Sequence, residues 1–411
     1  MSPRPLNVLW LIDHVCYDGS LHGGGRLFMN LMPKFNSEHV RVHPYFLRAS
    51  PEVQALFKAA NHPVRNLDLG KYDLSALKVI AQLCKEHDID VMHLFCYAAS
   101  TFGRVVGKLK GIPTVIHDFD TQVYFPYPLY LRVMDRLLAR STGKALAASA
   151  DCREYMHEVR AIPADRIEIL YHAIPASHLD PRTQIDRATA RRNLGIPDDE
   201  FLFAAVTKLG PDRGNEALLS AFAEVRRKLP KAKLAIVYKP TLYHRVPKEY
   251  ADIEWARDPR QMSARVAGLI DQLGLRDAVQ LVESLEHPEP YYAASDVLLA
   301  PFGTVRFSSV NLVEAMAYGR PHIVTDIGEP AELVDRYQSG IKVPVGDVAA
   351  LAQAMQSLAT DPQKLAQLSA NARTGAANLT VDAAALRLTR IYEELRPFTS
   401  TVPGAEAKAR P

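Results

Sequence analysis

The sequence predicts an α/β protein in which two domains follow one another, each with a parallel sheet covered by helices on both faces. Short apolar runs alternate with longer amphipathic runs along most of the 411 residues, and this alternation is typical of strand–helix–strand units. A polar, proline-containing stretch over residues 175–200 interrupts the alternation, which then starts again, and this stretch is the expected linker. A chain of this length also has enough residues for two or three domains, each with its own hydrophobic core.

The first half of the chain contains apolar runs with the length and composition of buried strands. They are NVLWLID (7–13), VRVHPYFL (40–47), VRNLDL (64–69), DVMHLF (90–95), TVIHDF (114–119), KALAAS (144–149) and IEILYHAI (167–174). Helical patterns, such as residues 74–87, lie between several of them. Continuous apolar runs of this kind are expected for strands that are buried on both faces of a parallel sheet. We therefore expect a first domain over residues 1–180.

The second half repeats the pattern. Its strand candidates are FLFAAVTKL, KLAIVY, AVQLVES, DVLLAPF, RPHIVTD and GIKVPV. They predict a second domain over residues 190–375, followed by a helix within residues 380–397. The tail after it, residues 398–411, has the composition of a disordered segment.

The composition argues against several function classes. The formal net charge of +3 is too small to predict nucleic-acid binding. The four cysteines include no C-x-x-C pair and no histidine at metal-binding spacing, so neither a disulfide nor a metal site is expected. No stretch approaches about 18 uncharged apolar residues, and the first apolar run is too short for a signal peptide. We expect a cytoplasmic protein with no nucleic-acid partner.

Two loops have the composition of anion-binding sites, with a plain tight turn as the alternative for the first and a solvated loop as the alternative for the second. LHGGGRLF follows the first strand, and a glycine loop that opens a helix offers backbone N–H groups to an anion. Its glycines, Gly23, Gly24 and Gly25, do not form a G-x-G-x-x-G fingerprint. VTKLGPDRGN follows the first strand of the second domain and carries Lys208 and Arg213, two cations suited to a diphosphate.

A third segment, SSVNLVEAMAYG, combines a helix start with a carboxylate. Ser308 or Ser309 can cap this helix, and Gly319, Arg320 and Pro321 are expected to stop it. The free N–H groups of its first turn, around Ser309, Val310 and Asn311, then point towards an anion. Glu314 lies one turn further along, where a carboxylate would repel phosphate but could accept hydrogen bonds from hydroxyls. A ribose diol is the expected ligand of Glu314.

Together these segments resemble a known family. RFSSVNLVEAMAYGRPHIVTDIGEPAEL, with VTKLGPDRG and LHGGGR upstream of it, resembles glycosyltransferase family 4, a family of retaining GT-B glycosyltransferases. The resemblance covers about residues 5–396, and EAMAYGRPHIVTDIG is its most specific part. It implies a GT-B fold, in which two Rossmann-like domains face each other across a central cleft. It also implies a C-terminal helix that crosses back to the N-terminal domain.

The resemblance assigns roles to the candidate residues. It implies that Lys208 and Arg213 bind the diphosphate, with the two residue types exchanged relative to the family pair. It implies that Glu314 binds the ribose of the nucleotide and that His117, at the end of TVIHDF, lies near the donor sugar. The three glycines of LHGGGR would approach the diphosphate and the sugar.

Arg306 departs from the family pattern, which usually has a glutamate eight residues before the ribose glutamate. An arginine cannot accept hydrogen bonds from sugar hydroxyls. Three alternatives follow: the donor sugar carries an anion that Arg306 binds, Arg306 supplements the cations on the diphosphate, or catalysis is lost and a binding scaffold remains. The Gly-Phe-Gly that usually comes next is also replaced, by Phe307, Ser308 and Ser309.

The sequence thus predicts a retaining glycosyltransferase that moves a sugar from a nucleoside-diphosphate sugar, such as a UDP-sugar, to an acceptor hydroxyl. The acceptor would be a glycan, a lipid-linked molecule or a small molecule. The nucleotide base is expected near Glu283 and Ser284. The resemblance implies no metal and no cofactor other than the donor. The alternatives are a nucleotide-sugar epimerase on the same fold and a non-catalytic GT-B subunit.

One predicted helix, residues 128–144, carries a row of basic residues at four-residue spacing. The row is Arg132, Arg136, Arg140 and Lys144. Tyr130, Met134 and Leu138 form another row, with Val133 and Leu137 beside it. One interpretation is a solvated basic face on a helix whose apolar residues enter the core. The other is a contact with anionic lipid, at the inner face of the membrane, or with a phosphate-bearing acceptor.

Overall fold

The computed structural model describes most of the chain. The described residues are 4–13, 16–17, 20–21, 23–35, 39–62, 64–70, 72–119, 129–239, 258–283, 288–303 and 310–396. They form two separate parallel sheets with helices packed around them. The α/β prediction with two sheets in series is therefore confirmed, while the limits given above for each domain stay predictions.

The first sheet is built from the N-terminal half of the chain. The strands of this half are β1 (Leu6–Ile12), β2 (Cys16–Tyr17), β3 (Ser20–Leu21), β4 (Val40–Phe46), β5 (Arg65–Asn66), β6 (Val91–Phe95), β7 (Thr114–Asp118), β8 (Lys144–Ala147) and β9 (Ile167–Ile169). Within the described residues, the parallel sheet has the order β5-β4-β1-β6-β7-β8-β9. The two-residue strands β2 and β3 form a separate antiparallel pair that the sequence did not predict.

Helices cover both faces of this sheet. They are α1 (Gly23–Leu31), α2 (Pro51–Ala59), α3 (Ser75–Glu86), α4 (Tyr97–Lys110), α5 (Leu129–Ala139) and α6 (Ala150–Glu158). Along β1, Val8 and Trp10 enter one buried cluster, whereas Leu9 and Leu11 enter another. Successive side chains of a strand point to opposite faces, so a run that is apolar at every position is buried on both sides.

The second sheet is formed by β10 (Phe201–Lys208), β11 (Ala232–Lys239), β12 (Val279–Glu283), β13 (Val297–Ala300), β14 (His322–Thr325) and β15 (Gly340–Val343). In the described part its order is β12-β11-β10-β13-β14-β15, with parallel neighbours. The helices that accompany it are α7 (Arg187–Leu194), α8 (Asn215–Lys228), α9 (Pro259–Gln272), α10 (Glu289–Ala294), α11 (Val310–Ala317), α12 (Gly328–Tyr337), α13 (Val348–Thr360) and α14 (Pro362–Ala377).

In each sheet, the chain connections reverse direction next to the strand that comes first in the sequence. β1 lies between β4 and β6, and β10 lies between β11 and β13, so chain connections leave to opposite sides at these points. In open parallel sheets, ligands bind beyond the carboxyl ends of the strands at such a switch point. Each half of the chain therefore has one favoured position for a ligand.

The stretch predicted as a linker, residues 175–200, contains the helix α7. Asp186 caps it by accepting a hydrogen bond from the Thr189 N–H at 2.9 Å. The buried Arg191 donates to the carbonyl of Ala294 at 2.8 Å. The polar sequence suggested an exposed connection, but the Arg191 guanidinium satisfies buried carbonyl groups and ties α7 to the second sheet.

The last helix, α15 (Val381–Glu394), packs against the first sheet. The chain returns where the Ile174 N–H donates to Leu379 and the Val381 N–H donates to Ile174, both at 2.9 Å. The Trp10 indole then donates to the Tyr392 hydroxyl at 3.1 Å. The predicted crossing of the C-terminal helix to the N-terminal half is therefore confirmed. The predicted disordered tail lies outside the described residues.

Candidate active site

The two cations predicted to bind diphosphate lie at the switch point of the second sheet. Lys208 is the last residue of β10, and Arg213 ends the short helical turn that follows it. The Gly303 N–H donates to the carbonyl of Asp212 at 2.9 Å, which holds this turn against the loop after β13. Gly214 makes the close packing possible, because a Cβ there would lie 1.8 Å from the carbonyl oxygen of Pro301.

The Arg213 guanidinium is oriented by two neighbours. It lies over the ring of Phe302, 5.4 Å from the ring centroid, and its Nε is 3.4 Å from a carboxylate oxygen of the buried Asp212. An aromatic face and a carboxylate both stabilise a cation in a partly desolvated position. Arg213 is therefore held as a charged group beyond the carboxyl end of β10.

Helix α11 begins beside these cations. The Asn311 side-chain amide donates to the carbonyl of Val206, in β10, at 3.3 Å. The helix ends as the sequence predicts, since Gly319 has φ 69° and the Arg320 N–H donates to Ala315 at 2.9 Å. A left-handed glycine with this hydrogen bond is a standard helix terminus. The short helix thus fixes the position of Glu314 relative to β10.

Glu314 is buried, and both of its oxygens accept hydrogen bonds. Arg26 donates to Oε1, and the hydroxyl of Tyr292 donates to Oε2 at 3.2 Å. Burial raises the pKa of Glu314, and the positive charge of Arg26 opposes that rise. Arg26 belongs to α1 in the N-terminal half, so the glycine segment and the Glu314 helix meet in the folded chain.

The predicted glycine loop opens α1 and contacts a histidine. The helix starts at Gly23, and Gly24 and Gly25 are buried. A Cβ on Gly23 would lie 3.1 Å from Nε2 of His172, so a larger residue would press on this ring. The small residues therefore let α1 begin close to His172.

His117 lies near the end of β7 and is completely buried. Its ring stacks on Phe119, with centroids 4.4 Å apart, and on His93, with centroids 5.5 Å apart. Among the described residues, neither ring nitrogen has a hydrogen-bond partner. Burial, with a smaller contribution from His172, lowers the pKa of His117 to about 3. The imidazole is therefore neutral and has one donor and one acceptor available.

Sequence reasoning missed four residues of this region. They are Arg26, Tyr292, His172 and Glu329. The His172 backbone N–H donates to Glu329, at the start of α12, at 3.3 Å, and the His172 ring contacts Phe119 at a centroid distance of 5.5 Å. Arg26 stands in the quoted segment LHGGGR, but no local pattern indicates its partner in the other half of the chain.

The chain is similar to known glycosyltransferases. Residues 21–178 match Glycosyltransferase Family 4, and residues 186–375 match Glycosyl transferases group 1. A D-inositol 3-phosphate glycosyltransferase of Thermobispora bispora is 29% identical over 335 residues, which cover 76% of this chain and 73% of the relative. An alpha-D-kanosaminyltransferase of Streptomyces kanamyceticus is 23% identical over 312 residues, 72% of this chain and 75% of the relative.

The chain belongs to glycosyltransferase family 4. The expected transferase function is therefore confirmed, over the epimerase and scaffold alternatives. Solved structures agree on the fold of this glycosyltransferase. A glycosyltransferase from Rickettsia africae has a TM-score of 0.78 at 14% identity, covering 96% of this chain and 100% of that one. Anabaena HepE in complex with UDP has a TM-score of 0.77 at 20% identity, covering 95% and 100%. These likenesses confirm the GT-B fold.

Several predicted donor-site residues of this glycosyltransferase lie outside the described residues. They are Arg306, Ser308 and Ser309, before α11, and Ser284, after β12. Val310 begins α11, and Glu283 is an exposed residue at the end of β12 that accepts a hydrogen bond from the Tyr238 hydroxyl at 3.4 Å. The roles predicted for all of these residues stay predictions.

Helix α5 of the glycosyltransferase corrects one sequence interpretation in part, because Leu138 is buried as expected but several other apolar residues are not. Leu129, Tyr130, Val133 and Leu137 are between 48% and 75% exposed rather than packed in the core. They share the outer face with Arg132, Arg136 and Arg140, which are also exposed. We call these seven residues the α5 surface. Lys144 is not part of it, because it begins β8 and pairs with Glu168 at 2.8 Å.

The inner face of α5 carries the acidic residue of the helix. The buried Asp135 accepts hydrogen bonds from Arg104 and from Arg160, whose Nε lies 3.2 Å from Oδ2. Arg160 also binds Asp118, the residue after His117. The helix thus turns Asp135 and Leu138 inwards, where Arg104 and Arg160 neutralise the carboxylate, and leaves the residues of the α5 surface outside. A sequence pattern cannot show this inversion because the arginines come from α4 and from beyond α6.

No group of three or more His, Cys, Asp or Glu side chains among the described residues is arranged to hold a metal ion. No helix in the same part of the chain has the length and apolar character needed to cross a membrane.

Proposed function

We propose that this enzyme binds the diphosphate of its donor at the carboxyl end of β10 and transfers the sugar with retention. The observation that supports this proposal is that Lys208, Arg213 and the start of α11 all lie at one switch point of the second sheet. Two cations and the N-terminal end of a helix form an environment that favours a phosphate group. Glu314, one turn into the same helix, is proposed to bind the ribose.

The same groups can assist departure of the diphosphate. When the bond between the sugar and the phosphate oxygen breaks, negative charge develops on the leaving group. Lys208 and Arg213 are fixed cations that would stabilise this charge as it forms, which can be the largest single catalytic contribution. The acceptor hydroxyl attacks the same face of the sugar, and a leaving phosphate oxygen takes its proton. No protein nucleophile is required.

His117 is proposed to bind the donor sugar from the N-terminal half. A buried imidazole whose two nitrogens lack partners is unfavourable unless a ligand supplies them. Sugar hydroxyls can both donate and accept hydrogen bonds, so they match the neutral ring of His117. A residue from each half of the chain would then contact the donor.

The donor assignment is tested by thermal shift against UDP, GDP, ADP and TDP, and against UDP-glucose and UDP-glucuronate. A ligand at about 100 times its Kd adds about 2.7 kcal/mol of stability. We expect one nucleotide to stabilise the wild type, and the double variant Lys208→Ala, Arg213→Ala to lose the shift. Arg227→Ala, an exposed arginine on α8, is the matched control. If no nucleotide stabilises the wild type, the proposed donor site is wrong.

Arg306→Glu extends the same assay to the donor sugar. A margin of UDP-glucuronate over UDP-glucose that disappears in this variant would assign Arg306 to an acidic sugar. Equal loss of stabilisation by UDP-glucose and by UDP would assign Arg306 to the diphosphate. The two results decide between the remaining alternatives for this residue.

We further propose that the α5 surface rests on an anionic membrane, at its inner face, with the protein in the cytoplasm. Apolar residues that share a helix face with arginines suit the boundary between acyl chains and acidic headgroups. The buried pairing of Asp135 removes the one negative charge that would oppose such a contact. An acceptor that is lipid-linked would then lie at the same surface.

Vesicle co-sedimentation tests this contact. We expect binding to phosphatidylglycerol vesicles, little binding to phosphatidylcholine vesicles, and weaker binding at high salt. Val133→Ser with Leu137→Ser should reduce binding, whereas Leu109→Ser, an exposed leucine on α4, should not. Equal binding of the α5 and Leu109 variants, or no binding by the wild type, would contradict the proposal and leave a soluble acceptor.

A further inference from the structure

Arg26 covers the carboxylate to which ribose binding is assigned. Its guanidinium donates to Oε1 of Glu314 although the two residues are 288 positions apart. The Arg26 side chain is 35% exposed, whereas that of Glu314 is only 3% exposed. The arginine therefore lies on the open side of a carboxylate that is otherwise enclosed by protein.

The other carboxylate oxygen of Glu314 is bound by a different residue, Tyr292. Tyr292 is buried in α10, and its hydroxyl donates to Oε2 at 3.2 Å. A buried phenol on a packed helix has little freedom to leave. A ribose diol that donates two hydrogen bonds to Glu314 must approach from the more accessible side, where Arg26 already uses Oε1.

We infer that Arg26 takes the place of the ribose on Glu314 when the donor site is empty, and that the ribose hydroxyls displace it. The inference rests on the proposed function, because that proposal assigns the ribose to Glu314. A buried carboxylate without a partner is strongly destabilising. Arg26 supplies that partner in the empty site, and the donor supplies it afterwards. Arg26 then sets the affinity for ribonucleotides without contacting the reacting atoms.

A static role for Arg26 predicts the opposite result. If the arginine stayed on Glu314 and oriented it for the ribose, removing the arginine would weaken nucleotide binding. If the arginine competes with the ribose, removing it strengthens binding. The two roles also differ in how nucleotide affinity depends on the ribose hydroxyls, because a nucleotide without them cannot replace Arg26 as the hydrogen-bond donor to Glu314.

Isothermal titration calorimetry with UDP and 2′,3′-dideoxy-UDP separates the two roles. If the nucleotide screen selects another base, the matching diphosphate pair replaces these two. We expect Arg26→Gln to bind UDP about threefold to tenfold more tightly than wild type, the range for one partly exposed charge-assisted hydrogen bond. The same variant should bind the dideoxy nucleotide like wild type. Arg227→Gln is the matched control and should change neither Kd.

Arg26→Lys is a second variant that keeps the test valid if Arg26→Gln folds poorly. It keeps a positive charge near Glu314 but loses the planar pair of donors, so its Kd for UDP should lie between those of wild type and Arg26→Gln. Weaker binding of UDP by both variants would overturn the inference, as would equal tightening of UDP and dideoxy-UDP. Those results would leave the proposed donor site intact. If the wild type binds no nucleoside diphosphate, the proposed function fails first and this inference falls with it.

Discussion

The two sides of the candidate site differ in their chemistry. The side built by the C-terminal half is ionic, with Lys208 and Arg213 at the end of β10 and Glu314 in the neighbouring helix. The side built by the N-terminal half is neutral and aromatic, with His117 stacked on Phe119. Arg26 comes from the N-terminal half but contacts Glu314 on the ionic side.

This difference indicates how a transferase can bind the two parts of its donor, the diphosphate and the sugar, with chemically different groups. Charge that develops on a diphosphate requires fixed cations, and these belong to the C-terminal half. Uncharged sugar hydroxyls require groups that donate and accept hydrogen bonds, which the neutral His117 can provide. We therefore expect variants on the ionic side to affect the leaving group and variants on the neutral side to affect the sugar.

The largest expected effect comes from the ionic side. Lys208→Ala and Arg213→Ala should each lower kcat about 100-fold to 1,000-fold, the range for losing one group that stabilises developing charge. The measurement is the initial rate of nucleoside-diphosphate release, with the donor and acceptor that the wild type uses. Asn311→Ala, which keeps both cations, serves as a milder comparison on the same side. A loss below tenfold in both cation variants would remove the proposed role of the ionic side.

A smaller effect concerns acid stability of the neutral side. Burial lowers the pKa of His117 to about 3 and that of His172 to about 4, whereas an unfolded histidine has a pKa of about 6.5. Between these values the unfolded chain binds more protons, so stability is present above the unfolded pKa and is lost as the pH falls. Each such histidine should remove about 2 kcal/mol of stability between about pH 7 and about pH 5.

Thermal unfolding at the two pH values checks this prediction. His117→Gln cannot titrate in either state, so its melting temperature should fall less on acidification than that of wild type. His172→Gln should show the same weaker dependence, because burial lowers the pKa of His172 as well. An unchanged pH dependence in His117→Gln would show that the ring is accessible to protons in the folded protein.

The smallest expected effect is the direct role of His117. Replacing it with alanine should lower kcat/KM about tenfold, the value of one hydrogen bond to the sugar. Binding of the nucleoside diphosphate alone, measured by calorimetry, should stay unchanged because that ligand lacks the donor sugar that His117 is proposed to contact. Equal losses of affinity for the sugar nucleotide and for the nucleoside diphosphate would mean that the neutral side also contacts the phosphates. The proposed difference between the two sides would then be wrong.

The sequence alone located most strands and the ends of some helices. Buried parallel strands such as β1 are apolar at every position, and Gly319 marks the end of α11 because its φ is positive. These are local properties that the pattern of residues determines. The glycines that open α1, the cations Lys208 and Arg213, and Glu314 were also singled out from the sequence, but only the resemblance gave them roles, and those roles stay predictions.

The tertiary structure decided which distant residues meet. It placed β1 between β4 and β6 and β10 between β11 and β13, because strand order depends on how helices cross the sheet rather than on the strands themselves. It turned Asp135 of α5 inwards, since Arg104 and Arg160 neutralise it there. It also joined Arg26 to Glu314, a contact between two halves of the chain that no local sequence pattern records.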